Sequence, residues 1–503
     1  MSFTFTIGSK KPEPKSFCAA HQLGSDARQT LAVKALAGVQ SPTQVARDNE
    51  VSRKFVYAQM ARSQKALDEA FTKKDNDDKV LFTLPVTKEW LRTFVLEQTL
   101  NGHSSERGIA QIIEDLFPVT LSEGTIHNIV QAAASQARAV NATEDLRAIT
   151  VAALDEIFQV GAAVLVGADV RSTYCFLLNK CGGRGETEWG VNLLDLADRG
   201  LRPKHSVADF GRGLRAGQAV AWPEVPCHGD VFHVEQDLSH LLRYLEHRAY
   251  SAISAVQKVV AVMARAERRG KPHDLAPRWQ KLCAEETAAV GLADDVTCLA
   301  CWLREDVLAL PGADFKTRSE LFDWMVAELR LRERQAPHRI GPLCTKLENG
   351  RDAILAFVAV LDRELRALAQ EFQVAEATVR AVHQLQGLPP EDARRWALQA
   401  ALCKELGARF YPLQQALQQR LKQVVRASSI IENLNSRLRG YFFLRRELGP
   451  DYLELLRFFL NHRRFRRSHC AERVGRSPYE ILTGQPQAHW LELLGYQHSQ
   501  CAA

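Results

Sequence analysis

Strand-forming sequence in this chain is confined to one short stretch, and that confinement limits the available folds more than any other feature. From Ala148 the runs AITVAALDEIF, AAVLVGADV and YCFLLNK are apolar and rich in β-branched residues, with short polar breaks between them. A helix is predicted in ETEWGVNLLDLADRG, where Trp189, Leu193, Leu196 and Ala197 recur at helical spacing. HSVADFGRGLRAG then reads as a short strand ending in a carboxylate and a Gly-rich turn. PCHGDVFHVEQDLSHLLRYLEHRA reads as a brief strand feeding a long helix. This alternation predicts an α/β domain.

Between 245 and 424 the sequence is nearly all amphipathic helix, as in LFDWMVAELRLRER and DAILAFVAVLDRELRALAQEF, broken at Pro311, Pro337, Pro389 and Pro390. It reads as an all-helical domain inserted into the α/β domain. The first part of that domain is then 148–244 and its second part, with basic helices, 425–484, before a C-terminal tail at 485–503. A length of 503 residues calls for several domains. The 46% apolar fraction allows genuine cores, while a mean hydropathy of -0.21 and the lack of a long uncharged apolar run argue against a membrane span. The start, MSFTFTIGSKKPEPK, lacks the apolar stretch of a signal peptide, so a cytoplasmic protein is expected. A net charge of +6 suits a nucleic-acid partner without demanding one. Of the eleven cysteines only Cys298 and Cys301 form a C-x-x-C, with no second pair at zinc-finger spacing, and they are expected to be core cysteines of a helix.

Residues 1–24 carry Lys10, Lys11 and Lys15 with little periodicity and read as a flexible basic tail. In 25–72, SPTQVARDNEVSRKFVYAQMARS offers a helix start at Ser41, with Pro42 at the first helical position and Gln44 placed to complete a capping box; a second start follows at Ser52. Two short helices joined by a tight turn, with Ala46, Val51 and Val56 inward and Asn49 left-handed at the turn, describe a helix-turn-helix. Its second helix would present Arg53, Lys54, Tyr57 and Gln59 to phosphates and base edges in a major groove, although a plain helical hairpin with solvated charges has the same pattern. Within 80–147, SSERGIAQIIEDLFPVTLSEGTIHNIVQAA repeats the logic. Ile109, Ala110, Ile112 and Ile113 form one apolar face, Pro118 breaks the chain, and Ser122 caps a helix with Ile126, Ile129 and Val130 inward.

The chemistry-bearing residues are acids. Cleaving a phosphodiester needs an activated oxygen nucleophile and a neutralised leaving oxygen, and two hard divalent ions roughly 3.5–4 Å apart do both when carboxylates hold them. Asp155 lies in the middle of the first apolar strand, where an acid is costly unless paired or metal-bound. Asp209 ends the strand HSVAD, 54 positions later. Glu156 is an alternative to Asp155, and strand alternation lets only one of the two join Asp209. Glu432 belongs to a helix whose Ile430, Ile431, Leu434 and Leu438 point inward, leaving Glu432, Asn435, Ser436 and Arg439 on the other face. An ordinary solvated glutamate would look the same.

Asp155, Asp209 and Glu432 together resemble the D, D and E of the DDE transposases with an RNase H-like core, to whose element order the strands and helices above also correspond. RASSIIENLNSRLRGYFFLRRELG resembles the glutamate helix of that family, and NHRRFRRSHCAERVGRSPYEILTG is similar to the tails of such enzymes. HGDVFH holds Asp230 and His233 as D-x-x-H, which resembles the signature of Mutator-like and related transposases with a helical insertion; the 223 positions from Asp209 to Glu432 fit such an insertion. One departure is Phe210, where many relatives carry glycine directly after the second aspartate.

The resemblance implies a bacterial insertion-sequence transposase, cytoplasmic and nucleoid-associated. Its fold class is then multidomain α and α/β: N-terminal helix-turn-helix units that read element ends, and an RNase H-like catalytic domain interrupted by the all-helical insertion. It further implies Mg2+, or Mn2+, held by Asp155, Asp209 and Glu432, with water as nucleophile for cleavage and a 3′ hydroxyl for joining. The implied partners are double-stranded DNA of element ends and target, and a second copy of the chain in a homodimer or larger synaptic complex. Asp230, His233, Asn435, Arg437, Arg439, Arg445 and Arg446 are expected at the DNA. Arg463, Arg464, Arg466 and Arg467, interleaved with Tyr441, Phe442, Phe443 and Phe465, extend the densest basic tract. A capping or core role is the alternative for His233 and Asp230. A DNA-binding regulator that lost the chemistry, and a metal-dependent nuclease without strand transfer, are the competing functional readings.

Overall fold

The computed structural model describes residues 19–72, 83–426, 429–445 and 447–496. Most of the expected basic tail, residues 1–18, and Arg446 lie outside the described residues. The chain divides into two compact units, 1–86 and 87–503.

In the first unit the helices Ser25–Leu36, Pro42–Asp48 and Arg53–Phe71 pack around Leu31, Ala35, Val45, Ala46, Val51 and Val56. The two helix starts are capped as their sequence dictates. Ser41 Oγ accepts from the Gln44 amide at 3.2 Å and Ser52 Oγ from the Phe55 amide at 3.1 Å. Three local features differ from the sequence reading. Gln44 Nε2 donates to Asp48 at 3.0 Å instead of closing the capping box. The left-handed residue is Glu50, with φ 53°, while Asn49 stays at φ -108° and its side chain donates to the Val45 carbonyl at 2.9 Å. The last helix is 19 residues long, not short, because no Gly or Pro interrupts it before Thr72. Arg53, Lys54 and Tyr57 are exposed and Gln59 is half-buried.

The second unit is built on one mixed sheet of β1 (Val151–Gln159), β2 (Ala162–Asp169), β3 (Cys175–Cys181), β4 (His205–Ala208) and β5 (Cys227–Gly229), in the order β3-β2-β1-β4-β5. β1, β2 and β3 form an antiparallel meander, whereas β4 runs parallel to β1 and β5 parallel to β4. Each parallel step crosses through a helix, Glu186–Asp198 and then Arg212–Ala221. These two cover one face over Leu154, Leu165, Trp189 and Leu193. They approach closely because Gly217 has no side chain: a Cβ there would meet Trp189 Cβ at 2.5 Å.

The helices Ser429–Phe443 and Pro450–His462 cover the other face. They share one continuous core with Val164 and Val166 of β2 and with the helices Lys88–Leu100, Glu106–Leu116 and Glu123–Thr143, through Val95, Ile109, Ile113, Ile126 and Val130. The segment expected as a separate second helix-turn-helix domain is therefore fused to the sheet. The expected C-terminal tail is also partly core, since Trp490, Leu491, Leu494 and Tyr496 are buried in the same cluster.

The inserted region is helical throughout, with its own core of residues such as Leu241, Val296, Phe322, Leu347, Val358 and Phe410. Its first helix, Val231–Arg268, starts directly after β5 and runs unbroken for 38 residues, so no break marks the expected boundary at 244. Cys298 and Cys301 lie on the helix Ala276–Trp302 as expected, but both are exposed rather than core. The inward stripe of that helix is taken by Leu292, Val296, Leu299 and Ala300. No described helix is long and apolar enough to cross a membrane.

Candidate metal centre

Asp155 is the fifth residue of β1 and faces Val166 of β2 in the register. On the other edge of β1, the parallel pair Leu154 and Ala208 is the last before Asp155 and Asp209, so the two acids leave neighbouring strands side by side. Alternation settles the choice between adjacent acids. Glu156 points to the opposite face, where it accepts from Trp189 Nε1 at 2.8 Å.

Two helices complete the site. Asp230 directly follows β5 and caps the helix Val231–Arg268, its Oδ1 accepting from the Phe232 amide at 2.8 Å, and this cap aims His233 in the first turn. The helix Ser429–Phe443 brings Glu432 in its first turn, and Asn435 less than one turn later. Donor atoms of Asp155, His233 and Glu432 lie within 4.8 Å of one another. His233 Nε2 stands 3.8 Å from Glu432 Oε1 and 3.8 Å from Asp230 Oδ2. The tightest donor set thus contains His233 where the sequence reading placed Asp209. Asp209 is not in that set, and its Oδ1 accepts from the Gly211 amide at 2.8 Å. The D-x-x-H spacing carries the signal for His233, which the sequence alone places among the DNA contacts.

Burial pushes the Asp155 carboxyl up to about 7, and the charges of Glu432 and Asp209 add to the shift; the Glu156 amide and His233 oppose it. Its oxygens are held by neutral donors, the Glu156 amide at 2.8 Å and Asn435 Nδ2 at 2.6 Å. Asp230 and Asn435, both expected at the DNA, are fully buried in this structure. Asp230 caps a helix beside His233, and Asn435 orients Asp155.

The basic tract is partly consumed by internal contacts. Arg445 stacks on the Tyr452 ring at 3.9 Å, Arg464 pairs with Glu480 at 2.7 Å, and Arg437 is half-buried, its guanidinium pKa lowered by that burial. Arg439, Arg466 and Arg467 remain exposed. Phe210, the departure noted after Asp209, ties the acid's turn to the insertion. Its ring lies between the cations of Arg215 and Lys346, at 4.9 and 5.3 Å, and packs where a Cβ on Gly350 would sit only 2.5 Å away. Gly350→Val is expected to cost about 1–3 kcal/mol of stability through overpacking, measured by urea unfolding, and Phe210→Ala in the same chain to recover part of that loss.

No family model matches this sequence, and no curated protein does. Among solved structures, a Drosophila P element transposase strand transfer complex is similar over 79% of this chain and 97% of that chain, at 11% sequence identity and a TM-score of 0.27. A likeness of that size carries no argument about fold or chemistry.

Proposed function

We infer that the chain is a DNA transposase of the DDE type, which cuts element ends and joins them to target DNA. The observation that carries this reading is the meeting of Asp155, Glu432 and His233, with Asp209 alongside, over the central strand of the sheet. The strand order, an antiparallel meander followed by two parallel strands, supports an RNase H-like core. The donor set fits a divalent cation: a carboxyl that burial holds near pKa 7 gains an ionised form when a cation arrives. Asp155, Glu432 and His233 would hold the ion, with Asp209 available to a second, and the imidazole suits Mn2+ at least as well as Mg2+. Such an ion lowers the pKa of bound water and neutralises phosphate oxygens.

The remaining steps belong to the chain's own groups. Asn435 fixes the rotamer of Asp155, and Asp230 fixes the helix start that presents His233. Arg439, Arg466 and Arg467 would receive the phosphate backbone, while Arg53, Lys54 and Tyr57 of the first unit would read duplex DNA.

A pH dependence follows. Without an ion Asp155 holds its proton below about pH 7, so binding must release it. Mn2+ affinity is expected to rise about tenfold per pH unit up to about 7 and then level off, as read by titration calorimetry from pH 5.5 to 8.5. A flat profile would show that Asp155 is not a ligand. The functional reading is tested by a strand-transfer assay with purified protein, Mg2+ and DNA bordering its coding segment. Joined product is expected; cleavage without joining would reduce the reading to a nuclease, and neither would leave a DNA-binding regulator.

A further inference from the structure

The helices Val231–Arg268 and Ala276–Trp302 form a hairpin that outgrows the core it is rooted in. The first is about 57 Å long at 1.5 Å per residue. The insertion core takes residues from it only as far as Ala249, and from its partner only from Val290 onward. Between Val259 and Ala289 no residue is buried, so the outer part is a two-helix arm in which the paired helices share no buried core.

The end of this arm is basic. Arg265, Arg268, Arg269, Lys271, Arg278 and Lys281 crowd its last turns and connection against only two acids, Glu267 and Asp274, in a chain whose whole net charge is +6. All six cations are exposed. Glu267 is near His273 at 3.9 Å and Lys281 near Glu285 at 3.9 Å, whereas Arg265, Arg269, Lys271 and Arg278 meet no acid among the described residues. Ordinary solvated faces mix both signs at helical spacing. Here one sign is gathered at the far end of the helical hairpin, beside the exposed Trp279.

The geometry points to this arm as a second DNA-binding element, which grips the phosphate backbone of a duplex away from the metal centre through the cations at its tip. This rests on the DNA-handling function inferred above. A cluster of exposed, long cationic side chains suits sequence-independent phosphate contact rather than base reading.

The test uses the full chain with Arg265→Gln, Arg268→Gln, Arg269→Gln and Lys271→Gln combined, and a duplex of about 60 base pairs titrated at several salt concentrations. Each lost phosphate contact removes about 0.9 from the slope of log affinity against log salt. The slope is expected to fall by about 2–4 and the affinity at 0.1 M salt by at least about tenfold, with thermal stability unchanged. Arg265→Lys, Arg268→Lys and Arg269→Lys together should keep the wild-type slope. An unchanged slope in the Gln variant would overturn the proposal, as would altered self-association with an unaltered slope, which would assign the tip to contact between copies of the chain. The two readings fail separately. Wild-type protein that nicks DNA but whose salt slope ignores the arm would sink the arm alone; protein that binds DNA through the arm but never nicks it would sink the metal-centre reading and leave the arm.

Discussion

Asp155→Asn is expected to lower metal-dependent DNA cleavage by at least about 10³-fold while changing duplex affinity less than about threefold. The amide keeps the shape and can still accept from Asn435 or the Glu156 amide, but it cannot carry the negative charge that the cation requires. The same substitution acts on stability in the opposite direction. The folded pKa of about 7 lies above the ordinary aspartate value, so the metal-free fold loses stability as pH rises from about 4 towards 7. Replacing the acid removes that loss. The metal-free variant should gain on the order of 1–3 kcal/mol at pH 8 and little at pH 4, as scanning calorimetry would show. Single-turnover cleavage close to wild type would take Asp155 out of the site.

Arg318→Met is the substitution expected to damage the fold most. Arg318 is fully buried, and its guanidinium donates to the carbonyls of Val307 at 2.8 Å, Leu310 at 2.9 Å and Ala313 at 2.8 Å, and also to that of Ala309. The Val307 oxygen belongs to the π-helical turn Leu303–Leu308 that ends the second helix of the arm, and the other three follow it, where the backbone has run out of helical donors. Burial pushes the guanidinium down to about 10, which still leaves it charged at neutral pH. It lies against Gly312, where a Cβ would come within 2.4 Å of it. Methionine fills much of the volume but leaves several buried carbonyls unpaired, and a loss of about 3–5 kcal/mol is expected from urea unfolding. A loss below about 1 kcal/mol would mean that water or a shifted loop replaces the four donors.

Arg318 also shows where sequence reading stops. A lone arginine in an amphipathic helix reads as surface, because nothing in the local pattern tells which carbonyls a distant turn will leave open. What the pattern does carry is local chemistry. The caps at Ser41, Ser52 and Ser122 were legible because a hydroxyl before an apolar-periodic run has few other uses, and the first three strands because apolar β-branched runs stand out in a helical chain. The apolar face of residues 88–143 was legible too, but not its partner. A periodic stripe records that a face is buried, not that the sheet and the last helices cover it. The turn at Asn49 and Glu50 failed for a related reason: asparagine is the better left-handed residue, yet its side chain serves the Val45 carbonyl and passes the strained conformation to its neighbour. In the site, period two separated Asp155 from Glu156 as elementary geometry requires. His233 was harder to place, because its ligand distance to Asp155 and Glu432 depends on three elements far apart in the chain.

Ion-dependent DNA cleavage at Asp155, His233 and Glu432, with Asp209 available to a second ion, is the proposed chemistry. It is tested most directly by incubating the full chain with a labelled duplex from the borders of its coding segment, with and without Mn2+ or Mg2+, and mapping the new ends. The account predicts nicks with free 3′ hydroxyls that require the ion and vanish in Asp155→Asn and Glu432→Gln. Cleavage that persists in chelator, or survives both substitutions, would contradict it.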